Sequence, residues 1–176
     1  MMQRLVMVLL LSLGGAFGWN GGVSAARVMG WTDETVSVGQ PAGEMAEADK
    51  IIGVYYVVED ETGEESKIRI ARDEDGTYYA QVVWMKNPNM PDGSPKLDFN
   101  NPDPALRTVR ADQIKMMTGL EYNPKKKEWE HGKVYNPMNG KMYKGYMTFV
   151  GDTRLKVRGY LGFSMLGRTM YWTKVE

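Results

Sequence analysis

Cysteine is absent from all 176 residues. That excludes disulfide scaffolds, thiol catalysis, thiolate metal sites and lipidation at a cysteine. A domain of this length does not need them, because it buries roughly two thirds of its unfolded surface. Histidine occurs once, as His131. A lone histidine cannot build a usual zinc site without several carboxylates. As a general base it would need an oriented nucleophile, and no Gly-x-Ser-x-Gly pattern occurs. Surplus charge is missing as well: 22 basic residues balance 22 acidic ones. A dedicated nucleic-acid binder would carry a clustered basic excess, so the balance argues against that class. No stretch reads as a long amphipathic helix, which argues against βαβ folds. No metal set, cofactor motif or catalytic constellation is read from the residues.

What is present begins at the N-terminus. Arg4 precedes the apolar run Leu5 to Leu13, followed by small residues and "GGVSA", with Ser24 and Ala25 before Ala26. These are the n-region, h-region and small-residue cleavage site of a secretory signal peptide over residues 1–25. The apolar run is about half of the roughly 20 residues that a spanning helix needs. The expected mature chain starts near Ala26, is exported to the periplasm or beyond, and does not span a membrane after cleavage. Residues 26–50 show little periodicity and read as a flexible arm with a short helical turn at Glu44 to Asp49.

From Ile51 onward the chain reads as strands and turns. The expected strands are 51–58, 66–72, 78–86, 113–122, 128–136, 141–150, 154–161 and 168–175. "DEDGT" and "PMNGK" carry the Asp-Gly and Asn-Gly signals of tight hairpins. Gly132 marks a possible bulge. On strand 78–86 the alternation puts Tyr78, Ala80, Val82 and Trp84 on one face. On strand 141–150 it groups Tyr143, Gly145, Met147 and Phe149. Turn signals at this spacing predict an all-β fold. Sequential hairpins predict an antiparallel up-and-down barrel of about eight strands, whose interior is filled or holds one small ligand. The 87–111 connection, rich in Pro, Asn and Asp, is long enough to cover an apolar outer face and to carry a short helix. Asp103 is placed as its N-cap and Pro104 in its first turn.

The stretches "GVYYVVED", "DFNNPDPALRTVR", "WEHGKVYNPMNGKMY" and "LKVRGYLGFSMLGRTMYWTKV" resemble the DUF2147 family of exported bacterial proteins. The resemblance spans about Ile51 to Val175. It implies a lipocalin-like (calycin-like) antiparallel barrel and no characterised activity. Members typically open with Gly-x-Trp; here Gly53-Val54-Tyr55 puts a tyrosine in that place. The smaller ring puts in doubt any packing that the tryptophan would make against a C-terminal arginine.

Candidate binding residues follow from the aromatic and polar inventory. Trp84, Trp129, Tyr135, Tyr143 and Trp172 would fill a barrel or line a pocket. Asp98, Asn100, Asn101 and Asp103 place four oxygen-bearing side chains within six residues. The order of ligands in a calcium loop is missing, and Asn or Asp before Pro serves turns, which favours a structural role over a pocket mouth or metal. Asp98, Asn101 and Arg107 stay candidates for a pocket mouth. Arg158 shares a face with Arg154 and Lys156, either a solvated outer row or a basic lining for an anionic ligand. Arg168 opens the last strand and is expected, with Tyr55, to close the barrel by stacking on an aromatic ring and donating to first-strand carbonyls. The scattered methionines, Met116-Met117 included, read as core filling. The leading expectation is a barrel that binds one small apolar or amphipathic ligand. The alternatives are a packed barrel acting on an envelope partner through its outer surface, and an enzyme.

Overall fold

The computed structural model describes residues 42–162 and 167–176. The expected signal peptide, most of the expected 26–50 arm and residues 163–166 lie outside the described residues. Eight antiparallel strands close in sequential order: β1 (Gly53–Val58), β2 (Glu65–Arg72), β3 (Tyr78–Met85), β4 (Lys115–Asn123), β5 (Glu128–Asn136), β6 (Lys141–Phe149), β7 (Arg154–Tyr160) and β8 (Gly167–Lys174). Each agrees with its sequence expectation to within two residues at either end. Closure removes most of the free edge that an open sheet of this apolarity would expose, although β1 and β8 pair over only a short stretch.

The two ends of the barrel differ. One end is plugged by helix α1 (Ala42–Ala48) and the 3-10 turn Asp49–Ile51 that continues it. Ala48 and Ile51 reach into the core. The Trp129 indole donates to the Ala48 carbonyl at 3.1 Å, and the Tyr55 hydroxyl donates to the Ile51 carbonyl at 2.8 Å. Arg72 donates to Asp49 at 2.6 Å and to the Tyr78 hydroxyl, which itself donates to Asp49 at 2.8 Å. These contacts satisfy the polar groups that the plug would otherwise bury unpaired. The last nine residues of the expected arm are therefore helical and tied to the barrel.

Gly53 opens β1 at φ +151, where an added Cβ would overlap the Glu176 carbonyl and the Lys174 side chain. Only glycine lets the first strand and the C-terminus approach so closely. Two residues on, Tyr55 is fully buried. Its ring lies 6.3 Å from Trp172 and 6.0 Å from the Lys174 ammonium. The cation that meets this ring is thus Lys174 and not the expected arginine, because Arg168 starts β8 at the opposite end. Burial pushes the Tyr55 hydroxyl well above its ordinary pKa.

Three irregularities set which side chains point inward. A bulge puts Lys67 opposite Trp84 and Ile68 opposite Val82, so Val83 is the extra residue. That shift breaks the simple alternation. Trp84 therefore leaves the face of Tyr78, Ala80 and Val82 and is 41% exposed, correcting its expected interior place. In the β4–β5 pair, Gly119 (φ +67) and His131 (φ +62) both adopt left-handed backbone. The register then lets Leu120 and Gly132 face inward between the Met117–Val134 and Tyr122–Trp129 pairs.

Candidate functional site

On β2, β5, β6, β7 and β8 the inner wall changes from closed to solvated towards the end opposite the plug, whereas on β1 Val57 stays buried near that end. On β2, Ile70 and Ile68 are buried and Ser66 is half-exposed. On β6 the order is Met147 and Gly145 buried, then Tyr143 half-exposed. On β7 Leu155 and Val157 are buried and Gly159 is half-exposed. On β8 Trp172 is buried, Met170 half-exposed and Arg168 exposed. The plugged half is a continuous core of Tyr55, Ile68, Ile70, Tyr78, Met117, Leu120, Trp129, Met147, Leu155, Val157 and Trp172. Trp129 and Trp172, expected as pocket candidates, belong to this solid half. They meet protein on their faces: Trp129 packs against Tyr122 at 4.9 Å and Phe149 at 5.8 Å.

A row of in-register glycines crosses the inner wall at the boundary: Gly132 opposite Gly145, and Gly145 opposite Gly159, with Arg168 next in the row. The space at the first two is filled by side chains of the neighbouring strands. A Cβ on Gly132 would overlap Leu120, and one on Gly145 would overlap Val134 and press on Met117. A Cβ on Gly159 would meet only the Val134 methyls, at 3.9 and 4.0 Å among the described residues. Gly159 is thus where the wall stops being filled, and Tyr143, Met170 and Arg168 stand around it. The Tyr143 hydroxyl accepts a hydrogen bond from Asn139 at 3.0 Å.

Arg168 sits at the rim and bridges β8 to the β1–β2 loop. It pairs with Glu59 and, at 3.2 Å, with Glu61. It closes the seam through carboxylates, where the sequence led to an aromatic ring and strand carbonyls. Burial alone would raise the Glu59 pKa. Hydrogen bonds from Thr62 and the nearby Arg168 outweigh it and hold the carboxyl below its ordinary value. Glu59 was readable only as part of an acidic turn. Its role needed the closed topology that brings that turn beside the start of β8.

Four of the expected residues converge, but outside the barrel. The 86–114 connection folds over the outer face of β5, which the inward-facing Val134 leaves to Tyr135. Asp98 is only 2% exposed and accepts from the Tyr135 hydroxyl at 2.6 Å and from Asn101 at 2.7 Å. Arg107 donates to the Asn101 carbonyl at 2.7 Å. Burial, with Asp98 as acceptor, raises the Tyr135 pKa strongly. Asn100 donates to the carbonyls of Pro137 and Met138, and Gly140 (φ +67) lies so close that a Cβ would overlap the Asn100 carbonyl. Asp103 caps the 3-10 turn Pro104–Leu106 by accepting from the Ala105 amide at 2.9 Å. Asp98 and Asn100 hold the connection to the β5–β6 hairpin, and the other bonds of the cluster tie the connection to itself. Its chemistry is that of a clasp.

Arg158 resolves to the outer face. It pairs in register with Tyr146 and Thr169 and donates to the Thr169 hydroxyl at 2.7 Å. Beside it Arg154 stacks 4.3 Å over the Tyr171 ring. The basic row of β7 is therefore an outer row and not a pocket lining. Two shallow clefts of about 340 and 190 Å³ are lined by polar turns at the plugged end, around Asp75–Tyr78 and Glu121–His131. The first touches Ala48 and Tyr78 of the core, and neither includes an expected site residue.

The family model for DUF2147, described as an uncharacterized protein conserved in bacteria, matches residues 53–174. The chain belongs to this family. A solved structure of protein HP1028 from Helicobacter pylori, described as belonging to the lipocalin family, superimposes with a TM-score of 0.60. It is 24% identical, and the match covers 72% of this chain and 83% of that one. At that identity the likeness establishes a lipocalin-like barrel fold and no more. No curated protein matches significantly. Among the described residues, no helix is long and apolar enough to cross a membrane.

Proposed function

We propose that this DUF2147 member is an exported binding protein that takes one small apolar or amphipathic ligand at the open mouth of its barrel. The observation that carries the reading is the burial gradient along the inner wall. Below the glycine row the core is solid. Above it, Gly159, Tyr143, Met170 and Val134 form a half-exposed, mostly apolar wall with Arg168 at the rim. Barrel mouths are common ligand sites, and a few polar groups at an apolar wall are enough to orient a ligand. The site is shallow, so it suits a compact ligand or the end of a long chain. Export rests on the residue 1–25 pattern and would be read from the N-terminal mass of the recovered protein.

Native mass spectrometry of protein recovered from its own host tests the binding. Wild type is expected to carry a reproducible adduct. Gly159→Leu fills the mouth where the wall has room, so it is expected to lose the adduct while keeping its melting temperature. Wild type recovered without ligand in every preparation, or a Gly159→Leu protein that keeps the same adduct, would sink the proposal.

A further inference from the structure

Among the described residues, the two most exposed large apolar side chains, Phe99 and Met138, sit together at the open end beside the β5–β6 hairpin. Phe99 is 64% exposed and Met138 is 79% exposed, and Met142 and Leu106 are exposed as well. Phe99 and Met138 are held near each other by the Asn100 side chain, which donates to the Met138 carbonyl at 3.1 Å. Their exposure is built in: the clasp under them, Asp98 with Tyr135 and Asn101, is buried and fully bonded.

Basic side chains gather beside Met138 and Met142. Lys133 and Lys144 lie directly opposite each other across β5 and β6, and Lys141 starts β6 beside Met142. All three are exposed, and among the described residues no carboxylate pairs with them. Two like charges placed directly across a strand pair oppose folding. The register continues the patch, with Lys144 opposite Tyr160 and Tyr146 opposite Arg158. The far side of the rim is different. There Glu59, Glu61, Glu64 and Glu65 are engaged by Arg168, Lys96 and Lys86. The open end is therefore uneven in charge, basic at the β5–β6 hairpin and acidic, with part of that charge paired, at the β1–β2 loop.

We propose that the β5–β6 side of the open end is a peripheral docking surface for a bilayer that contains anionic lipid. Phe99 and Met138 enter the interfacial layer, and Lys133, Lys141 and Lys144 meet the headgroups. Apolar tips within a basic collar fit that partner on both counts. The aromatic and thioether groups lose water, and the lysines gain from the negative surface potential within a Debye length. A soluble anionic polymer would use the lysines and leave Phe99 and Met138 without purpose. The docking does not depend on a ligand in the mouth.

Flotation of the protein with vesicles tests this. Wild type and variants are prepared in the same N-terminal form, so that the Leu5 to Leu13 run, if retained, contributes equally. Wild type is expected to float with phosphatidylcholine vesicles containing phosphatidylglycerol, to release at high salt, and to bind pure phosphatidylcholine at least about tenfold more weakly. Lys133→Gln/Lys141→Gln/Lys144→Gln is expected to lower binding to the anionic vesicles at least about tenfold. Phe99→Ser/Met138→Ser is expected to lower it too, with the salt dependence kept. All five side chains are exposed, and unchanged melting of the variants separates lost docking from lost fold. Equal flotation with neutral and anionic vesicles, equal binding by wild type and both variants, or retention on an anionic polysaccharide with no flotation would overturn the proposal.

Discussion

At the scale of single residues, three in-register glycines have unlike reasons to be glycine. Gly132 and Gly145 are gaps filled by Leu120 and Val134 of the neighbouring strands, whereas a Cβ at Gly159 would make only ordinary contacts with Val134. An alanine at either of the first two must push a packed side chain aside, at a cost of about 1–3 kcal/mol. An alanine at Gly159 meets only ordinary contacts and stiffens the unfolded chain, so it should be neutral or stabilising by up to about 1 kcal/mol. Chemical denaturation of the three alanine variants would check this ordering. A destabilised Gly159→Ala beside a neutral Gly145→Ala would contradict the filled-to-open boundary.

At the scale of elements, the 86–114 connection is the piece least expected to hold itself in place, since it carries only 3-10 turns and isolated bridges. Its stability is concentrated in the Asp98 clasp. Tyr135→Phe removes one of the two side-chain donors to a buried carboxylate. The expected cost is about 1–3 kcal/mol, because the carboxylate keeps its burial and loses its partner. Proteolysis within 87–111 should accelerate more than global unfolding does, and equal acceleration of both would place the clasp elsewhere. Strand positions were legible in the sequence because turn chemistry and alternation are local. The Asp-Gly and Asn-Gly turns and the Asp103 cap formed as the residues implied. The facing of Trp84 was not legible, since the Val83 bulge depends on the partner strand. Nor was the outer location of the Asp98, Asn101, Arg107 and Tyr135 cluster, which needed both the loop path and the phase shift at Gly119 and His131. Of the candidate site, Tyr143 and the Arg168 rim position could be read in advance; Gly159 and Met170 came into view only with the register of the closed barrel.

At the scale of the whole molecule, closure of the cylinder is uneven. β1 and β2 share six register pairs and β7 and β8 share seven, but β1 and β8 share two, Tyr55 with Lys174 and Tyr56 with Thr173. Towards the plug, backbone hydrogen bonds of Val54 with Val175 and Glu176 continue the seam; towards the open end it relies on Arg168 and its carboxylates. Because Glu59 titrates below its ordinary value of 4.5 when folded, its stabilising contribution is present above that value and is lost as pH falls through the folded pKa. Arg168→Gln removes one of the groups that lower it. Stability near neutral pH should drop by about 1 kcal/mol or less, as for partly exposed pairs. The loss on acidification should shrink, and denaturation curves at neutral and acid pH would check it. A variant whose acid sensitivity matches wild type would remove Glu59–Arg168 from the account of closure.

That short seam also bears on solubility. Where β1 and β8 part, each leaves a stretch of backbone able to accept a foreign strand, and Val58 and Tyr171 beside it are exposed and apolar. Nature commonly blunts such stretches with charge. The Arg168–Glu59–Glu61 group stands at this gap, so a chain seeking to add itself there would have to bury three ionised side chains. The same residues that latch the cylinder thereby guard the protein against polymerising through its own unfinished edge.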